Sequence, residues 1–189
     1  ALLHILNHCL FKGTLFLGAG SVFHSTGVRD IERLGGLAKS MKRTAAVMIV
    51  AGAAICALPP FGGFVSEVLL YLGVFKGILS GELTETVLLA VGGSLLALTG
   101  GLALLSFSRL IGIAFLGQPR DPGISHAHES GKLMTVPMLI LMAAAALTGV
   151  GAPLLIRIVT PAAGTVVRGL SAAPAIVSAA AGRGAGGGA

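Results

Sequence analysis

The chain has 189 residues, of which 54% are hydrophobic and only 11% charged; Trp is absent and the mean hydropathy is +0.94. That balance, together with several long uncharged runs, excludes an ordinary globular domain and a disordered chain, and it places the sequence among helical membrane proteins. The formal charge of +6 is no argument for nucleic acid, because the basic residues fall mostly in one inter-span loop and in the tail, where they serve to orient spans in a bilayer.

Leu2 to Phe23 is expected to be a span carrying His4, His8 and Lys12. Steps of four residues advance each side chain by only about 40° around a helix, so the three form one stripe roughly 12 Å long, bordered by Asn7. An ionisable row in a membrane segment belongs on the bundle interior, since facing lipid costs several kcal/mol per charge. The chain opens on Ala1 in what reads as a helix already under way, so it is expected to be a piece of a longer protein.

Ser25 to Arg43 is polar, and its excess of Lys and Arg assigns it to the cytoplasmic side. Within it Ile31, Leu34 and Leu37, three residues apart, suggest a short interfacial helix that ends near Gly35-Gly36. Thr44 to Leu79 is expected to cross the bilayer as one discontinuous helix. Pro59 and Pro60 remove two backbone donors and clash with the preceding turn, and Gly62 and Gly63 let the chain turn before the helix resumes near Val65. Irregular backbone at membrane depth survives only where it is buried in protein or faces a wet cavity. Glu67 is placed in the first turn of the second half, where a helix N-terminus favours negative charge.

The turn that follows holds Glu82 and Glu85 and suits the opposite face. Thr86 to Ser108 is another uncharged span, and its Gly92-Gly93 and Gly100-Gly101 pairs suggest close packing against a neighbour. A loop with Pro119, Pro122, His126, His128 and Glu129 follows, its His and Glu side chains expected in solvent. Leu133 to Ile156 is the last span. The domain division is therefore 1–157 for the membrane part and 158–189 for an Ala/Gly-rich tail. In that tail 164–181 forms at most a weak helix and 182–189 has nothing to fold around.

Three readings of the His4-His8-Lys12 stripe stand side by side. His residues four apart can share a metal with Cys9 adjacent, but a lysine next on that face repels a cation and no HExxH pattern occurs. Buried polar groups can simply tie helices together by hydrogen bonds. The third reading is a proton relay: histidine titrates near neutral pH and a desolvated lysine changes charge readily. For Glu67, burial and a helix N-terminus act in opposite senses, so a modest change of surroundings can switch its protonation. The bland alternative is a carboxylate that merely caps the broken helix. Cys9 and Cys56 are too few and too far apart for a disulfide framework or a zinc site, and are expected to be small apolar packers. No metal or cofactor is expected.

The run His4-Ile-Leu-Asn-His-Cys-Leu-Phe-Lys12-Gly-Thr-Leu-Phe-Leu-Gly-Ala-Gly-Ser, then Gly27-Val-Arg-Asp-Ile-Glu-Arg-Leu-Gly-Gly-Leu, resembles the antiporter-like proton-conducting subunits of complex I, multisubunit Na⁺/H⁺ antiporters and membrane-bound hydrogenases. Leu58-Pro-Pro-Phe-Gly-Gly-Phe-Val-Ser-Glu67 and Gly112-Ile-Ala-Phe-Leu-Gly-Gln-Pro-Arg120 are most similar to the hydrogenase-4 and formate hydrogenlyase branch. The resemblance covers about Ala1 to Pro153. It implies an all-α membrane fold with four transmembrane helices here, one of them discontinuous at Pro59-Pro60, as the C-terminal part of a 14-helix antiporter-like subunit of the bacterial inner membrane. It implies that His4, His8 and Lys12 lie on a central polar axis, and that Glu67 takes the ionisable position of the second broken helix. The partners it implies are other membrane subunits of a respiratory or hydrogenase complex, the lipid bilayer and protons, with electron transfer housed in those partners. Two alternatives remain: a Na⁺/H⁺ antiporter subunit, or a structural anchor for a redox module. The chain departs from the family pattern at Lys42, where Pro is usual, and at Gly62, where Asn is usual.

Overall fold

The computed structural model describes residues 1–184, with side chains described for 1–124 and 126–169; residues 185–189 of the expected tail lie outside it. Six α-helices follow in order: α1 (Leu2–Thr26), α2 (Lys42–Ile55), α3 (Gly62–Ser80), α4 (Leu83–Phe115), α5 (Lys132–Val150) and α6 (Ala152–Gly184). Single 3₁₀ turns at Ile31–Arg33 and Pro122–His126 interrupt the two long connections, and no strand occurs among the described residues. Helices α1, α3, α4 and α5 are each long and apolar enough to cross a membrane. With 14 residues α2 is about 21 Å long, too short to cross alone, and it forms the first half of the discontinuous helix.

The break runs from Cys56 to Phe61. Ala57 turns the chain with φ of 51°, a left-handed conformation costing an alanine roughly 1–2 kcal/mol, and the Pro59-Pro60 bond is cis. Leu58 N still donates to Ala53 O (3.1 Å) and Phe61 N to Leu58 O (3.2 Å), so the irregular segment keeps its backbone partners. Gly62 and Gly63 do not make the turn expected of them; both already belong to α3. What they provide is closeness. A Cβ on Gly63 would stand 2.4 Å from the Ala54 carbonyl oxygen, and one on Gly62 would stand 2.4 Å from Thr148 Oγ1 on α5.

Helix α1 is the element the others gather on, packing most extensively against α5 and α2 and also against α3. Its buried face is Leu3, Asn7, Phe11, Thr14, Leu15, Gly18, Ser21 and Val22. Because α4 comes back to the end from which α2 left, the connections 27–41 and 116–131 meet there. Gly36 N donates to Leu116 O and Ala38 N to Phe115 O, both at 2.9 Å. Beneath this contact Leu37, Met41, Met48 and Phe115 form the apolar core with Leu15, Val22 and Leu34.

That core corrects the interfacial helix expected from Ile31, Leu34 and Leu37. Only one 3₁₀ turn forms, and Leu34 and Leu37 turn inward to 6% and 0% exposure, because the end of α4 offers them protein instead of headgroups. Of the glycine pairs of α4, a Cβ on Gly93 would meet Val74 Cγ1 of α3 at 3.2 Å, whereas one on Gly92, Gly100 or Gly101 meets no described atom of this chain within 4 Å.

Candidate functional site

The stripe on α1 turns as it climbs. Measured around the helix from fully buried Asn7, His4 lies at about 60°, His8 at about 100° and Lys12 at about 140°. The stripe therefore leaves the packed face progressively: His4 and His8 are half-buried and Lys12 is exposed on the described chain. The His4 and His8 rings stay within reach of one another, centroids 6.1 Å apart, and Phe11 meets the His8 ring edge-on at 5.3 Å.

His4 is held by the broken helix. Its Nδ1 lies 3.0 Å from Ser66 Oγ, and the Ser66 hydroxyl donates to Gly63 O at 2.9 Å. A hydroxyl has one proton, so with that proton spent on Gly63 the Ser66 oxygen accepts from the His4 Nδ1–H. Nε2 is then the atom of His4 open to gain or lose a proton. The next residue on α3 after this anchor is Glu67.

Glu67 is the sixth residue of α3, in its second turn; the helix starts three residues earlier than expected and no acidic residue lies in its first turn. The cap position is Phe61, with no side-chain bond to the helix end, so Glu67 is not a capping carboxylate. It lines, together with His4, His8, Phe11 and Ile55, a cavity of about 260 Å³ closed on its far side by Leu96, Thr99, Gly100 and Ala103 of α4. Three of the four residues singled out in the sequence thus share one space at the helix break. Lys12 does not line it. Its ammonium stands over the Phe16 ring, 5.9 Å from the centroid, in a neighbouring groove of about 300 Å³ that also contains Ile55, so Ile55 separates the two spaces.

Asn7, noted in the sequence only as a border of the stripe, is central to the site. It is 1% exposed and its Nδ2 donates to Gly62 O at 2.8 Å, while its buried Oδ1 has no partner among the described residues. A Cβ on Gly62 would come within 2.6 Å of that Oδ1. The buried amide comes from α1, and the glycine at 62 is what leaves room for it. A signal for this existed in the sequence: Asn7, Thr14 and Ser21 recur every seven residues, and all three are at most 1% exposed. Seven residues are close to two full turns, so this second polar line stays on the packed face while the His/Lys line drifts off it.

At the loop end Glu129, expected in solvent, caps α2. Its carboxylate accepts from Arg43 N (2.8 Å), Thr44 N (3.2 Å) and Thr44 Oγ1 (2.5 Å). Beneath it Ser21 Oγ lies 3.1 Å from Thr44 Oγ1 and donates to Ser130 Oγ at 2.6 Å, tying α1, α2 and the start of α5. Two ion pairs fasten the first connection: Arg33 pairs with Asp121 of the second connection, and Glu32 with Arg109 of α4 at 2.6 Å. The Gly123 amide first, and then Arg33, hold the Asp121 carboxyl below the ordinary carboxylate range. Among the described residues no three His, Cys, Asp or Glu side chains stand close enough together to hold a metal ion.

The family described as NADH:quinone oxidoreductase/Mrp antiporter, TM matches residues 1–97. Formate hydrogenlyase subunit 3 of Escherichia coli (strain K12) is 43% identical over 164 residues, covering 85% of this chain and 26% of that protein. Hydrogenase-4 component B of the same strain is 42% identical over 156 residues, covering 80% and 23%. Na(+)/H(+) antiporter subunit A1 of Staphylococcus haemolyticus (strain JCSC1435) is 30% identical over 173 residues, covering 90% and 21%. The chain thus spans about a quarter of the length of these relatives. Among solved structures, the Mrp complex from Dietzia sp. DQ12-45-1b has the same fold, with a TM-score of 0.63 at 23% identity, over 79% of this chain and 34% of that one. With its broken helix and the sequence match over half its length, the chain belongs to the NADH:quinone oxidoreductase/Mrp antiporter transmembrane family.

Proposed function

We propose that this chain belongs to a proton-translocating subunit of the hydrogenase-4 and formate hydrogenlyase type, residing in a bacterial inner membrane and coupled to electron transfer in partner subunits. The observation that carries the reading is the shared cavity: His4, His8 and Glu67 face one space beside an interrupted helix. His4 is pinned through Nδ1 and offers Nε2, His8 stands one helical turn on, and Glu67 receives or returns the proton at the break. Lys12, a further turn along, acts on this row as a reversible charge from the adjoining groove. The identity of 42–43% to the two hydrogenase-type relatives extends over 156–164 residues, whereas Na(+)/H(+) antiporter subunits match at 30–33% over 143–173 residues or at 42% over only 76, and this supports the hydrogenase-type reading over exchange with Na⁺.

The test uses inverted membrane vesicles containing the whole complex. Glu67→Gln is isosteric and cannot ionise, and it is expected to abolish acidification of the vesicle lumen while the complex still assembles. His4→Gln is expected to slow it. Acidification at the wild-type rate in Glu67→Gln would leave the chain a structural anchor. Acidification that requires added Na⁺ would move it to the antiporter class.

A further inference from the structure

Ser66 ties the interrupted helix to the stripe on α1, and the tie is buried. Ser66 is 2% exposed and stands between the His4 ring and the Gly63 carbonyl. By the helical pattern the same Gly63 oxygen accepts the amide of Glu67, four residues on. One residue earlier, Asn7 Nδ2 donates to Gly62 O at 2.8 Å, so His4 and Asn7 of α1 brace one turn of α3 together. The network on Nδ1 leads nowhere. Nδ1–H donates to Ser66 Oγ, the Ser66 hydroxyl donates to Gly63 O, and a peptide carbonyl accepts hydrogen bonds but has no proton to hand on. Nε2 is the remaining nitrogen of a ring that lines the cavity of Glu67. The His4 and His8 rings, centroids 6.1 Å apart, make no hydrogen bond to each other among the described residues, so a proton between them travels through that cavity.

We propose that Ser66 is a positioning residue that locks the tautomer of His4, making His4 a side store for the cavity's proton and not a carrier through which the proton passes. The proposal rests on the proton-transfer reading of the same site and gives His4 a part separate from those of His8 and Glu67. A carrier takes a proton on one ring nitrogen and releases it from the other. At His4 a proton borne by cavity water binds the Nε2 lone pair, the Nδ1–H stays on Ser66, and the proton returns to water from Nε2. The imidazole ends as it began, and its bond to Ser66 is kept throughout.

The experiment measures acidification of vesicles containing the whole complex for His4→Gln, Ser66→Ala, the double variant and Glu67→Gln, each with assembly and redox activity checked. His4→Gln is expected to slow acidification several-fold without stopping it, and Ser66→Ala to slow it by no more than that. The double variant is expected to equal His4→Gln, because a residue acting through His4 has nothing to act on once the imidazole is gone. Ser66→Ala at the wild-type rate, or a double variant slower than His4→Gln, overturns the lock. His4→Gln that stops acidification outright makes His4 an obligatory carrier and overturns the store. These results leave the proton reading standing, whereas Glu67→Gln at the wild-type rate overturns that reading and the proposal together. Nitrogen-15 spectra of the histidine-labelled complex, wild type minus His4→Gln, need no Ser66 variant. Neutral His4 is expected to carry its proton on Nδ1, and a proton on Nε2 overturns the lock.

Discussion

The broken segment is held in place from α5, and Gly149 is where the two meet. A Cβ added there would lie 2.0 Å from Pro60 O, 2.9 Å from Gly62 N and 2.9 Å from the Phe61 carbonyl carbon. Ordinary contact distance is about 3.5 Å, so the nearest pair falls short by about 1.5 Å. Every atom involved is backbone, so no side-chain rotation relieves the clash; either α5 moves outward or the break shifts. Overpacking of this kind costs about 1–3 kcal/mol, and the better helix propensity of alanine returns only about 0.5–1 kcal/mol. Gly149→Ala should therefore destabilise by about 1–2 kcal/mol, whereas Gly112→Ala on α4, which meets nothing within 4 Å, should be neutral or slightly stabilising. The assay is thermal unfolding of the detergent-solubilised complex, read as a lowered midpoint for Gly149→Ala and an unchanged or slightly raised one for Gly112→Ala. The shift should come with slower acidification, because the displaced break carries the cavity of Glu67. Gly149→Ala with unchanged melting and unchanged transport would show that α5 does not clamp the interrupted helix.

Three further outcomes follow from the same contacts. Asn7→Leu keeps the volume but leaves the Gly62 carbonyl unpaired, and should cost about 1–3 kcal/mol in the same melting assay; an unchanged midpoint would show that this bond is not made. Glu129→Ala uncaps α2 and should cost about 1 kcal/mol, read as faster hydrogen exchange at the Arg43 and Thr44 amides with little change in α5. The carboxyl of Asp121 titrates below its unfolded value of about 4, so the clamp with Arg33 and Gly123 contributes fully above that pH. It is lost as pH falls through the lowered value of the folded state. Exchange at the Gly123 amide should accordingly be indifferent to pH-dependent opening between pH 5 and 7 and show opening only in stronger acid; opening near pH 6 would contradict it.

The sequence carried the composition-level facts by itself. A run of apolar residues long enough to span hydrocarbon has to be helical, because no other open structure satisfies its backbone there, and paired prolines at 59 and 60 have to interrupt it. That His4 and His8 share one helix face and that a carboxylate stands just past a break are local facts, but only the packing of α3 against α1 put the three in one space. What local spacing could not supply was rotation. A four-residue repeat drifts about 40° per step, and only the packing of α1 against α5, α2 and α3 decided where that drift begins, leaving Lys12 in a separate groove while Asn7 points into the break. The same limit applied to glycine, whose sequence signature is identical whether it permits a turn, a close approach or an open space. At Gly62 and Gly63 the neighbouring backbone and side chains chose closeness. Glu129, a loop residue, caps a helix 85 residues away in sequence, and only the meeting of two connections brings it to Thr44.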